Sequence, residues 1–375
     1  MIGRRSSLGC VHCGGVSIQD ASRKAAMDFP ESDSPLNARE QRPDVQQDGS
    51  VESADSLPTV PEPLLATLVN KPQVIKADFP TTGPRERWWT SIAVIGVSLL
   101  FFISASVVMT VVATAYVHGS ISIKLFVDPD SLRKVTQSPV GLFLLVVTPQ
   151  LALVTPCLIA AYLSPQPMRQ RLALVKGNWP IWAWFTAALA TPLIGLISGI
   201  VIGLFLEESA ALREMSDIFR QQGQSGFTAQ LILMIALTPA LCEELLFRGY
   251  VQSRLTRVFR PVLAILFSSI TFAAFHMDPV HVIAVVPLGL FLGWLTWQSG
   301  SLFPAMFAHF GNNLVSVLAT IIAPPPDSNT FSLPAFEFTL GILLLGCIGV
   351  IATSFASVIY RSSTPTPVDT STQHI

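Results

Sequence analysis

Between residues 90 and 360 the chain consists mostly of apolar runs of membrane-spanning length. Eight can be marked, at about 90–117, 140–163, 180–206, 229–253, 262–277, 281–297, 302–322 and 336–360. Each is near the ~20 residues that a helix needs to cross the hydrocarbon of a bilayer. No other feature constrains the fold as much, because backbone N–H and C=O groups in lipid must be satisfied within the structure, as a helix does. Composition agrees: 50% of the residues are hydrophobic and 13% are charged, and the mean hydropathy is +0.54. Soluble domains carry about 25% charged residues. The fold class is therefore all-α, a polytopic membrane helix bundle of about eight transmembrane helices. The fifth and sixth runs are short or abut, so their limits are the least defined. Trp88, Trp89 and Trp179 fall at run edges, as interfacial aromatics do. "GLISGIVIG" places Gly195, Gly199 and Gly203 four apart, a small-residue stripe that lets a neighbouring helix approach closely.

The flanks differ. Residues 1–85 are rich in Asp, Glu, Ser, Gln and Pro and show no sustained periodicity. Such a segment buries too little apolar surface to offset its ordering entropy, so a disordered cytoplasmic tail is expected there, and a second loose tail at 361–375. The first has no apolar h-region of a signal peptide, and Met27 offers a later start. The last residues do not form a prenylation box. Cys10 and Cys13 make a CxxC around His12 without the second ligand pair of a zinc site. Cys157, Cys242 and Cys347 lie in apolar runs, where cysteine acts as a small hydrophobe. A net charge of −1 gives no reason to expect nucleic acid as a partner.

With a cytoplasmic N-terminus the inner flanks carry nine basic residues: Arg85, Arg87, Arg169, Arg171, Lys176, Arg254, Arg257, Arg260 and Arg361. The outer loops carry five: Lys124, Arg133, Lys134, Arg213 and Arg220. That excess favours both termini inside, and a bacterial plasma membrane is the expected location. The chain then divides into 86–228, three transmembrane helices with a polar outer connection; 229–322, a catalytic core; and 323–360, the last transmembrane helix. The outer segment 207–227, "EESAALREMSDIFRQQGQSGF", has a helical pattern and fits a cover, a lid or a plain connection.

The chemistry sits where charges are costly. "TPALCEELLFRGY", 238–250, places Glu243, Glu244 and Arg248 directly after an apolar run. A charge at bilayer depth costs from about 3 to over 10 kcal/mol unless it is paired. "TFAAFHMDP" adds His276 at the end of the fifth run, and "SLFPAMFAHFGNN" adds His309 and Asn313 within the seventh. Residues four apart share a helix face, so Glu244 reaches Arg248 and His309 aligns with Asn313. Glu243 points about 100° away from Glu244, so the two carboxylates have different roles. Arg stays charged and pairs well with a carboxylate, which makes Glu244–Arg248 a structural ion pair. Glu243 is left without a partner on its own helix. A carboxyl group removed from water is easier to protonate, which moves it toward the range useful for taking a proton from water. His276 can share that water, and His309 and the Asn313 amide can donate to an oxyanion. These are the parts of peptide-bond hydrolysis without a covalent intermediate. Counting ~1.5 Å per residue puts Glu243 and His309 at compatible depths and His276 about 10 Å too far out.

The same residues resemble a known family. "EELLFRG" is similar to the EExxxR motif of the CAAX protease and bacteriocin-processing (CPBP) family, which includes type II CAAX prenyl endopeptidases. "FAAFH", Phe272 to His276, resembles its FxxxH motif, and "HFGNN", His309 to Asn313, its HxxxN motif. Gly289, Gly293 and Ser301 stand between them where relatives often have small residues. The resemblance covers roughly 230–318 and implies an α-helical intramembrane endopeptidase. In it Glu243 and His276 activate water, and His309 and Asn313 serve the oxyanion. Phe272 is expected to pack beneath His276, and Glu244 and Arg248 to support the site.

Rival readings have their own residues. Glu243, Glu244, His276 and His309 are candidate ligands for zinc or another divalent metal, and the resemblance has also carried a metalloprotease label. Adjacent glutamates diverge, however, and no HExxH helix is present, so a reaction without a cofactor is preferred. A transporter, immunity or scaffold protein would use the cluster for proton relay or packing, but no internal repeat stands out. For a serine type, Ser301 lies at the membrane edge, and an aspartyl type lacks its two intramembrane Asp residues. The expected partners are the lipid bilayer and a membrane-associated peptide or protein substrate, lipid-modified or entering sideways between helices.

Overall fold

The computed structural model describes residues 87–324 and 332–360. The readings made on 1–85, Cys10, Cys13, Met27 and 361–375 lie outside the described residues. All regular structure among the described residues is helical. The long helices are α1 (Trp89–His118), α2 (Pro139–Tyr162), α3 (Ile181–Gly203), α4 (Ala210–Gln222), α5 (228–255), α6 (Pro261–Ala274), α7 (Pro279–Ser299), α8 (Phe303–Ile322) and α9 (Leu333–Ile359). Among the described residues seven helices are long and apolar enough to cross a membrane, α4 and α5 being counted as one. The eighth apolar run is α6, at 14 residues too short to count with them. Its length is about 21 Å, against a hydrocarbon core of ~30 Å.

Prolines and small polar residues set the helix starts. Pro139, Pro261, Pro279, Pro304 and Pro334 occupy first-turn positions, where a missing N–H costs nothing. Ser138, Asp278 and Ser332 cap α2, α7 and α9 through side-chain oxygens that accept from Gly141, His281 and Ala335 N–H groups. Two helices end in left-handed glycines, Gly119 (φ 66°) and Gly300 (φ 65°). Gly226, at φ 92°, breaks the run Ala210–Leu255 and separates α4 from α5.

The segment expected to be a polar outer helix is α4. It buries Ile218, pairs Arg220 with Asp217, and sends Arg220 Nε to the Thr320 carbonyl at 3.2 Å, so it lies against the end of α8. At the opposite end the connection 163–180 folds back beneath the bundle. Asn178 N–H donates to the Ser299 carbonyl, and Leu302 N–H donates to that of Ala173, both at 2.9 Å. This fold-back corrects the reading of Trp179: it is 1% exposed and packs edge-on against Trp294, while Trp88 and Trp89 stay exposed as interfacial residues do. The glycine stripe is corrected in part. A Cβ at Gly195 would meet Asn312 Oδ1 at 2.8 Å, but among the described residues nothing lies within 4 Å of one at Gly199 or Gly203. Gly289 and Gly293 on α7 are among the glycines that neighbouring helices do approach closely.

α5 is the helix around which the site is built, in contact with α2, α6, α7 and α8. It is irregular, with π-helical stretches at Ile232–Leu237 and Leu245–Gln252, a distortion that often accompanies functional sites. Between them stands Pro239, which has no N–H to offer the carbonyl of Ile235 four residues earlier. The amide of Asn313 on α8 donates to that carbonyl at 3.3 Å. Arg248 and Gln252, one turn apart, donate to the carbonyls of Gly289 (3.1 Å) and Gly293 (2.7 Å). A Cβ at Gly289 would meet Ser269 Cβ at 3.1 Å, and one at Gly293 would meet Ile265 Cγ2 at 2.9 Å. Small residues there let α7 come close to both α5 and α6.

Candidate active site

Glu243, Glu244 and Arg248 lie on the face of α5 turned toward the bundle, and all three are buried. Glu244 Oε1 accepts from Arg248 Nη1 at 2.8 Å and lies 2.9 Å from His309 Nδ1 on α8. The expected Glu244–Arg248 pair is therefore part of a three-residue chain. Arg248 is further fixed by the Gly289 carbonyl and by the Phe272 ring, whose centroid lies 4.1 Å from its guanidinium carbon. A buried guanidinium without such partners would be costly; with them it anchors α5 to α6, α7 and α8.

The divergence of the adjacent glutamates has a direct geometric outcome. They approach one imidazole from its two nitrogens: Glu244 Oε1 faces Nδ1, and Glu243 Oε2 is 3.9 Å from Nε2. A carboxylate braced by an arginine is suited to accept from Nδ1–H, which leaves Nε2 as the ring atom aimed at Glu243.

Glu243 is not left alone, as its own helix suggests. Its Oε1 accepts from Gln150 Nε2 on α2 at 2.9 Å. Sequence reasoning passed over Gln150, although an amide in "LLVVTPQLALV" is itself a polar group in an apolar run.

His276 follows the last turn of α6. Its Nδ1 lies 3.3 Å from the Phe272 carbonyl, and its ring stacks on His281 with centroids 4.7 Å apart. Phe272 stands between the two motif histidines, edge-on to His276 at 5.2 Å and to His309 at 5.6 Å between centroids. Among the described residues the polar and ring contacts of His276 run to Phe272 and His281, not to Glu243. His281, in the first turn of α7, is thus a ring neighbour of His276. Asn313 gives one amide hydrogen to Ile235, and its Oδ1 accepts from Asn312 at 3.2 Å. The structure thus brings Glu243, Glu244, Arg248, Phe272 and His309 together, sets His276 beyond Phe272, and turns Asn313 to the backbone of α5.

As for a metal, among the described residues no three His, Cys, Asp or Glu side chains form a group that could hold an ion. Of the candidate ligands Glu243, Glu244, His276 and His309, Nδ1 of His309 is engaged by Glu244. Outside the spanning helices, Asp278 is held below the usual carboxylate range, first by the His281 N–H it accepts and then by Ser209.

Residues 225–315 match a family model described as Rce1-like, type II CAAX prenyl endopeptidase Rce1-like. The matched segment includes all three motifs, so the resemblance drawn from them is borne out. Gln150 lies outside it. No curated protein and no solved structure matches the chain.

Proposed function

We propose that the chain is an integral-membrane endopeptidase that hydrolyses a peptide bond with a water activated by Glu243. The observation that carries this reading is the imidazole of His309 set between two buried glutamates, one of them braced by Arg248 and the other unmatched by an arginine. A carboxylate in that position costs stability unless it serves chemistry.

The steps follow from the groups present. Glu243 Oε2 takes a proton from water, and the water oxygen bonds to the scissile carbonyl carbon, leaving an oxyanion. His309, oriented by Glu244 at its Nδ1, donates from Nε2 to that oxyanion. The second amide hydrogen of Asn313 is free of the Ile235 carbonyl and serves the same oxygen. As the C–N bond breaks, Glu243 returns its proton to the leaving amine. The motif assigns His276 to the incoming water; with Nδ1 donating to the Phe272 carbonyl, its Nε2 would be the accepting atom. No step needs a metal.

Burial among helices suits a substrate that already resides in the membrane. The family description names CAAX prenyl endopeptidases, so prenylated CAAX peptides are the first substrates to test on the purified chain. Glu243→Gln should lower the cleavage rate by at least about 10³-fold, since it removes the base itself. A chelator should leave the rate of the intact protein unchanged, with no further gain on adding zinc. Full activity of Glu243→Gln would rule the reading out, and zinc-reversible loss on chelation would replace it with a metal-dependent one.

A further inference from the structure

Glu243 is held by a side chain from outside the segment that matches the family. Gln150 Nε2 donates to Glu243 Oε1 at 2.9 Å across 93 residues of sequence. Of the two carboxylate oxygens, Oε1 is thereby tied, and Oε2 faces His309 Nε2 at 3.9 Å. An amide is well suited to that position, because it donates like a cation but carries no proton that it can lose, so it cannot compete for the proton of a water. The charged and titratable groups around the carboxylate are His309 from α8 and Cys242, Glu244 and Arg248 from α5. The titratable group that α2 adds to this region, Cys157, is directed at the Leu245 carbonyl. Gln150 is thus the contribution of α2 to Glu243. Among the described residues its own Oε1 is buried without a hydrogen-bond partner. An amide kept half-satisfied in an apolar helix is costly as packing, which fits a residue placed for the carboxylate.

We propose that Gln150 is a positioning residue for the reaction: its amide pins Oε1 of Glu243 so that Oε2 alone meets the water. The inference rests on the hydrolytic reading above. It also makes the working site a product of α2 together with the matched segment.

The test uses the full chain in lipid nanodiscs and a peptide whose cleavage Glu243→Gln abolishes, beginning with a farnesylated CAAX peptide and extending to peptides found in membrane extracts. Gln150→Leu keeps the volume and removes the donor. It should lower kcat about 10- to 100-fold, the cost of a misplaced catalytic group, with KM within about twofold and the melting temperature of the nanodisc-held protein unchanged. Gln150→His, which can return an N–H at similar reach, should recover part of that kcat. A Gln150→Leu protein with unchanged kcat overturns the assignment, as does a loss that appears only in KM or melting temperature, or one that Gln150→His does not relieve. The two levels separate cleanly. Loss of cleavage in Glu243→Gln with an unaffected Gln150→Leu removes only the role of Gln150, whereas no peptide dependent on Glu243 removes the hydrolytic reading and this inference with it.

Discussion

The charged residues of α5 were legible because lipid makes charge costly. Glu243, Glu244 and Arg248 within one apolar run leave few explanations, and helical spacing pairs Glu244 with Arg248 before any coordinates. Two things were not legible. Gln150 is uncharged and 93 residues away, so neither cost nor spacing points to it. The tie from Glu244 to His309 depends on how α5 and α8 pack, and helical geometry within one segment says nothing about the facing helix. The two glutamates should separate by experiment. Glu244→Gln removes the charge opposite a fully buried Arg248, and breaking such a pair costs about 3–5 kcal/mol. Its melting temperature in nanodiscs should fall clearly, with cleavage lost as well. Glu243→Gln leaves the Glu244–Arg248 ion pair intact and should keep the melting temperature of the intact protein. Equal stability of both variants would show that Arg248 does not depend on Glu244.

Among helices, the ends were written in the sequence more clearly than the contacts. Proline at the first turn and Ser or Asp before it mark α2, α7 and α9, and the apolar runs agree with the helices to within a few residues. The mark left by glycine is less direct. Spacing singled out Gly195, Gly199 and Gly203, yet spacing records only that a flat face exists and not that a neighbour uses it. Gly199 faces open space, whereas a Cβ at Gly349 would sit 2.5 Å from the Ala190 backbone nitrogen and 2.8 Å from the Thr186 carbonyl oxygen. Backbone cannot give way as a side chain does. Gly349→Ala should therefore separate α3 from α9 and destabilise by about 1–3 kcal/mol, while Gly199→Ala should be neutral or stabilise by up to about 1 kcal/mol. Thermal unfolding in detergent checks both, and reversed signs would mean that the α3–α9 packing is wrong. Trp179 carries the same lesson, since an edge position in sequence becomes interior when its loop folds back under the bundle.

For the whole molecule, the family-matched segment does not supply every side chain that holds Glu243. Residues 225–315 contribute both glutamates, both motif histidines and Asn313, but α2 supplies the donor to Glu243, and α3 and α9 flank α8 from outside the segment. Depth counting left His276 too far out; in the structure it follows the last turn of α6, and the ring of Phe272 packs edge-on against both His276 and His309. The central claim is that these groups cut peptides in the membrane through Glu243. Peptidomics of membrane extracts from cells carrying the intact chain or Glu243→Gln at matched levels tests it most directly. At least one trimmed membrane-associated peptide should accumulate only with the intact chain; identical peptide profiles from the two would contradict the claim.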